Sequence, residues 1–136
     1  MRGNLKSYRQ FSIQSEITVA SPHRVIQMML TGGLERLIEI RTAIEENNME
    51  KKGLAINKAI GIINGLSSSL NMDLGGQIST NLYELYQFMV INLSNANLNN
   101  DIDTINDVIY ILKNIKEGWD KIPFEQHYIS EASQVG

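Results

Sequence analysis

Apolar residues at Ile26, Leu30, Leu34, Leu37, Ile40 and Ile44 recur at the three- and four-residue spacing of one helix face. Ser21-Pro22 starts that helix well, with serine as N-cap and proline at the first helical position. Asn47-Asn48 breaks the pattern and can cap a second helix, whose inner stripe reads Ala55, Ala59, Ile62, Ile63, Leu66 and Leu70. Leu74-Gly75-Gly76 is expected to stop it, because glycine tolerates the left-handed conformation of helix ends. A third stripe runs through Ile78, Leu82, Leu85, Met89, Leu93 and Ala96, and Asn99-Asn100-Asp101 ends it. Asp101 is a natural N-cap for a fourth, with Ile105, Val108, Leu112, Ile115 and Trp119 inside. Lys113 and Lys116 suit its negative end, and Gly118 and Pro123 close it. Helices of roughly 17–25 residues joined by short loops predict an all-α fold, an antiparallel up-down-up-down four-helix bundle. The bundle is expected over residues 21–122.

The flanks read differently. In residues 1–20, Leu5 and Tyr8 sit one helical turn apart, while Phe11 with Ile13 and Ile17 with Val19 alternate as in an extended segment. This arm is too apolar for a plain linker and is expected to dock on the bundle over a hydrophobic groove. Residues 123–136 are more polar and read as a flexible tail.

Charge sharpens this picture. Between Lys58 and Asp101 the chain carries only Asp73 and Glu84. Serine, threonine, asparagine and glutamine supply the polar cover that charged residues usually give a solvated helix. Interface centres are depleted of charge in the same way. The net charge is −3, with six basic and three acidic residues in 1–41 and six basic and twelve acidic in 42–136. That balance gives no push toward nucleic acid. No cysteine is present, so disulfides and thiolate metal sites are excluded, which suits the cytoplasm. The first twenty residues lack a continuous apolar signal region, and no apolar run is long enough to insert in a membrane.

Chemistry-bearing motifs are sparse. Neither His23 nor His127 follows a glutamate at the spacing of di-iron bundles, and His23 reads as a packed or hydrogen-bonding residue. No nucleophile elbow or phosphate loop occurs. Asp101, Asp103 and Asp107 lack the glycine and terminal glutamate of a calcium loop, so capping is the better account. The chain is therefore read as no enzyme, with no metal and no cofactor.

What remains is apolar surface beyond one stripe per helix. Ile56 and Ile60 lie beside the second stripe; Tyr83, Tyr86, Phe88, Val90 and Ile91 beside the third; Ile102, Ile109, Tyr110 and Ile111 beside the fourth. Either wide stripes and the arm absorb these residues, or they form a partner surface. Gly61 and Gly65 would admit a closely packed helix, either a bundle neighbour or a partner. The residues expected to face a partner are Ile56, Ile60, Ile63, Tyr83, Tyr86, Val90 and Ile109.

Several segments, in order, resemble the FliS family of flagellin-specific export chaperones. Ser7-Tyr8-Arg9-Gln10 is similar to its Ala-Tyr-x-Gln, and Ser21-Pro22-His23-Arg24-Val25-Ile26-Gln27-Met28-Met29 to its Ser-Pro-His-x-Leu-Ile-x-Met-Leu. Lys52-Gly53, Asn57-Lys58-Ala59 and Ile62-Ile63 follow. Then come Gly75-Gly76-Gln77-Ile78 and Asn81-Leu82-Tyr83-Glu84-Leu85-Tyr86-Gln87-Phe88-Met89, and finally Ala96-Asn97, Asn100-Asp101 and Trp119. The resemblance spans about Leu5 to Ile122. Gln77, Gln87-Phe88 and Ile91-Asn92 depart from the family's Glu, Asp-Tyr and Arg-Arg, and all three departures cut charge or polarity in the third helix.

The resemblance implies a cytoplasmic bundle that binds the disordered C-terminal segment of flagellin. It would block premature polymerisation and help deliver the subunit to the flagellar export gate protein, with other flagellar proteins as further candidate partners. It also implies that the N-terminal arm, through Leu5 and Tyr8, covers part of the cargo surface until cargo displaces it. Two other readings stand beside this one: a homodimer whose uncharged face is self-complementary, and a cofactor or metal bundle enzyme.

Overall fold

A computed structural model describes residues 21–123. Within them the chain forms four helices and no strand: α1 (Pro22–Glu45), α2 (Met49–Ser68), α3 (Met72–Asn99) and α4 (Ile102–Asp120). The expectations for the arm, including Leu5 and Tyr8, and for the tail beyond Pro123 lie outside the described residues.

Side-chain caps start each helix. Ser21 Oγ accepts from the Arg24 N–H at 3.1 Å, with Pro22 in the first turn where no N–H is needed. Asn48 accepts from the Lys51 N–H and Asn71 from the Leu74 N–H. The Asp101 carboxylate accepts from the Thr104 hydroxyl and from the Thr104 and Asp103 N–H groups, and these bonds hold its pKa below the usual carboxylate value. Asn47 and Asn100 take left-handed φ values of 55° and 53°, which asparagine tolerates, and so end α1 and α3.

The helices form a four-helix bundle. α1 packs on α2 and α4, and α3 packs on α2 and α4. Leu30, Leu37 and Ile40 of α1 meet Ala59, Ile63 and Leu66 of α2, Met89 and Leu93 of α3, and Ile105, Val108 and Leu112 of α4 in one core. At one end, the His23 Nε2–H donates to the Trp119 carbonyl at 2.7 Å, while the Trp119 indole N–H donates to the His23 carbonyl at 2.9 Å. The two rings stack 5.0 Å apart. His23 thus ties the first turn of α1 to the last turn of α4, a packed hydrogen-bonding residue as the sequence suggests.

Three details differ from the sequence reading. α2 ends at Ser68, six residues before the Leu74-Gly75-Gly76 stop, so Leu70 lies in a loop and packs on the core from outside the helix. The glycine pair instead sits inside α3 and kinks it: Gly76 has φ 51° and ψ −126°, a conformation that costs a side chain dearly. Across the kink, the buried Ser79 hydroxyl donates to the Asn71 carbonyl at 2.9 Å. Finally, Ile78 and Leu85 are exposed rather than inward, because the α3 core row runs through Ser79, Tyr86, Met89, Leu93 and Ala96.

Lys52 is a buried cation in α2, and its ammonium donates to the Asn97 carbonyl at 2.9 Å and to Asn100 Oδ1 at the end of α3. Cations suit that end of a helix, where carbonyls lack partners. Lys52→Met keeps the stem and removes both bonds, so it should lower stability by about 1–3 kcal/mol in urea unfolding.

Tyr86 offers a second check. Burial pushes its phenol from 10.0 up to about 12. The folded state therefore holds the proton more tightly than the unfolded state. Tyr86 contributes its full stability below pH 10 and loses it as pH climbs toward about 12. A phenolate absorbance titration should show one late-ionising tyrosine, and Tyr86→Phe should remove it.

Candidate functional site

The phase of each helix decides which apolar residues are left at the surface. With about 3.6 residues per turn, the core row of α2 leaves Ile62 and Gly65 on one flank and Ile60, Asn64 and Ser67 on the other. Ile62 packs against Gly32 and Gly33 of α1, and a side chain at Gly65 would run into Met29 of α1. The Ile62 flank therefore belongs to α1, and the Ile60 flank faces α3. Gly65 serves a bundle neighbour, while the space over Gly61 is open.

The same argument orients α3. Its flank toward α2 carries Tyr83, Gln87, Val90 and Ser94, with Ile91 and Leu98 on the outer face beyond them; its flank toward α4 carries Ile78, Leu85 and Phe88. Tyr83 is exposed, Ile91 is 59% exposed and Leu98 81% exposed, while Ile60 and Val90 are half-buried against the core. The seam between α2 and α3 is thus an apolar strip at the surface.

The residues expected to face a partner separate into three groups. Ile60, Tyr83 and Val90 come together on the α2–α3 seam. Ile56, Ile63 and Tyr86 do not reach the surface: they are 1%, 0% and 3% exposed. The stripe read for α2 shares Ala55, Ala59, Ile63 and Leu66 with the core row but takes in Ile62 where the core holds Ile56, so Ile56 is central rather than peripheral. Ile109 lies on the α4 flank toward α1, where Arg41 donates to Asn106 and Gln27 donates to Asp120. The sequence reading missed Leu98 and Met49, both exposed on this strip. The signal for Leu98 was available: it falls seven and fifteen residues after Ile91 and Tyr83, a helical repeat separate from the core row.

Charge is sparse along the strip, where Glu84 stands two turns before Ile91 on the outer face of α3. Lys51 and Lys58 fall on the α1 side of α2, beside Glu39, Leu54 and Asn48, where they line a shallow cavity of about 250 Å³. Glu84 points outward from α3, and Lys52 is spent on the α3 end. Two hydroxyls on and near the seam are engaged with their own helices: the Ser94 hydroxyl donates to the Val90 carbonyl, and the Ser68 hydroxyl to the Asn64 carbonyl. Such a surface can hold an apolar segment. Among the described residues, no group of three or more His, Asp or Glu side chains is placed to hold a metal ion. No described helix is long and apolar enough to cross a membrane.

Comparison with known proteins agrees with the motifs. Residues 4–126 match the family described as flagellar protein FliS. The chain is 43% identical over 136 residues to the flagellar secretion chaperone FliS of Vibrio cholerae, covering all of this chain and 99% of that one. It is 43% identical over 118 residues to the flagellar secretion chaperone FliSB of Pseudomonas aeruginosa, covering 87% of this chain and 94% of that one. The flagellar secretion chaperone FliS of Bacillus subtilis is 27% identical over 106 residues, with 78% of each chain covered. The match over nearly the whole chain, on a four-helix bundle with an uncharged apolar seam, shows that this chain belongs to the FliS family.

Proposed function

We propose that this protein is a cytoplasmic flagellar export chaperone that binds the disordered C-terminal segment of flagellin. Binding keeps the subunit from polymerising early and helps deliver it to the flagellar export gate. The protein holds its client and transforms nothing. The observation that carries the reading is the uncharged strip of Ile60, Tyr83, Val90, Ile91 and Leu98, in a chain 43% identical to a flagellar secretion chaperone. A disordered client loses entropy on ordering, so it needs a long apolar surface to offset that cost.

The reading takes the bundle as antiparallel, up-down-up-down. Support comes from the end contacts: the first turn of α1 meets the last turn of α4 through His23 and Trp119, and Lys52 near the start of α2 meets Asn97 and Asn100 at the end of α3. It takes Ile60, Tyr83 and Val90 as cargo contacts, joined by Ile91 and Leu98. Residues 1–20, with Leu5 and Tyr8, form an arm that covers part of the cargo surface in the free protein.

Calorimetric titration with a synthetic peptide of the flagellin C-terminal segment tests this directly. A complex forming below about 10 μM is expected, and no detectable heat or mobility change at tens of micromolar overturns the reading. Deleting residues 1–18 should leave the helical circular dichroism of the bundle intact and speed peptide association, because a covered groove binds only in its open fraction. Loss of the helical signal would instead place those residues in the core.

A further inference from the structure

The first turn of α3 is set apart from the rest of the helix. From residue 72 to residue 78 no side chain is buried, and the first buried residue of α3 is Ser79. Gly76 divides the two parts. Its φ of 51° and ψ of −126° mirror an extended conformation, which glycine adopts at little cost and an L side chain does not. The chain turns back there, and Asn71 becomes an anchor. Its side-chain oxygen accepts from the Leu74 N–H. Its carbonyl accepts from the Gly75 N–H at 2.9 Å and from the Ser79 hydroxyl at 2.9 Å. Gly75 is needed as well, since a methyl group there would collide with the Ser79 hydroxyl.

The bond from Ser79 to Asn71 exists only because of the kink. In an unbroken helix residues 71 and 79 lie about 12 Å apart along the axis, too far for any hydrogen bond. The same hydroxyl has a second acceptor within its own helix. With Gly76 helical, it would reach the Gly75 carbonyl four residues back, as Ser68 reaches Asn64 and Ser94 reaches Val90 in this protein. Straightening therefore trades one hydrogen bond for another and draws no side chain out of the core. Glycine at 76 fits both forms. The connection from α2 permits both as well. From Ser68 to Met72 the chain can reach about 13 Å, enough to cross between helices about 8–10 Å apart with α3 longer by a turn of about 5.4 Å. In line with α3, Met72 falls seven residues before Ser79 and turns onto the core row, whereas in the kinked form it is exposed.

We infer that residues 71–76 are a two-position strap at one end of the bundle. In one position Gly76 is kinked and Ser79 holds Asn71. In the other the turn runs straight into α3, Ser79 bonds within its own helix and Met72 closes over the end of the core. The forms differ by the dihedral angles of Gly76 and one exchanged bond, so both are populated. Any segment that covers the exposed Met72, Leu74 or Ile78 in one form only shifts the balance between them. The strap moves whether or not the protein holds a client.

The test is nuclear magnetic resonance on the full chain, with labels in the backbone amides and the methionine methyl groups. Native hydrogen exchange is expected to be at least about 100-fold faster at residues 72–78 than at Met89 and Leu93, with little dependence on denaturant. Gly76→Ala penalises the kinked form alone and should move the population toward the straight form by about tenfold. Its signature is a run of helical Cα shifts unbroken from residue 72 to residue 80, with the Met72 methyl passing from solvent to the core. A thermal midpoint close to that of the parent confirms that the variant folds. Where it does not fold, Gly75→Ala decides, because its methyl group excludes the kink through Ser79 and should give the same helical run.

Exchange at residues 72–78 as slow as at Met89 overturns the strap, since the turn then opens only with the whole bundle. A folded alanine variant in which Asn71 still contacts Ser79 and Met72 stays exposed overturns it too. Cα shifts that become random over residues 72–76 overturn the straight form and leave only a fraying helix end.

Discussion

The centre of a four-helix bundle accepts one row of side chains from each helix, and the phase of those four rows governs the rest of this molecule. Once Ile56, Ala59, Ile63 and Leu66 are committed to the core, Ile62 must face α1 and Ile60 must face α3. Once Tyr86, Met89 and Leu93 are committed, Tyr83 and Val90 must fall on the flank toward α2, and Ile91 and Leu98 on the outer face beyond it. The exposed strip is not added to the bundle; it is what these sequences leave over after the core is full. α2 and α3 leave an apolar remainder because their flanks carry isoleucine, valine, leucine and tyrosine where a solvated helix would carry lysine and glutamate.

The ends of the helices, where the shared core runs out, are also fastened. Polar contacts at the ends do this work. His23 and Trp119 exchange two hydrogen bonds and stack, fastening α1 to α4. Gln27 and Lys116 converge on the Asp120 carboxylate beside them, and their hydrogen bonds hold its pKa below the ordinary value. At the other end Lys52 reaches the final turn of α3, where its buried ammonium meets two oxygens of helix-end residues. The contacts of His23, Gln27 and Lys52 join residues at least 45 positions apart in sequence, so each closes a long loop of chain, whereas Lys116 and Asp120 are one turn apart on α4.

How far the sequence discloses this varies by helix. α1 and α4 each have one unambiguous apolar row, and both the row and the caps at Ser21 and Asp101 can be read directly. α2 is apolar at 55, 56, 59, 60, 62, 63 and 66, which fits more than one phase. Only the close approach of Ile62 to Gly32 and Gly33 selects the right one, and that is a tertiary fact. The glycine pair was legible as an irregularity but not as a kink, since the stop it suggested is made earlier by Ser69. At the site the same ambiguity explains the outcome: Ile60, Tyr83 and Val90 lie on flanks in either phase, Ile56 and Tyr86 change side when the phase rotates, and Ile63 belongs to the core row in both. The burial of Lys52 had no local signal, because its partners lie beyond the next turn and helix.

The composition of the strip reflects two opposed demands. A surface that binds an apolar segment must be stripped of water when occupied, yet tolerate water when empty. Charged residues would keep it hydrated but cost several kcal/mol each to desolvate on binding. Purely aliphatic residues would desolvate freely but leave a contiguous patch prone to self-association. Glutamine, asparagine, serine and tyrosine stand between these extremes. Their neutral groups cost about 1–3 kcal/mol to bury unpaired, and the back-bond from Ser94 to Val90 reduces that further by satisfying its hydroxyl in advance. The stretch from Ala59 to Asn100, with Asp73 and Glu84 as its only charges, has the composition that a face alternately wet and dry would need.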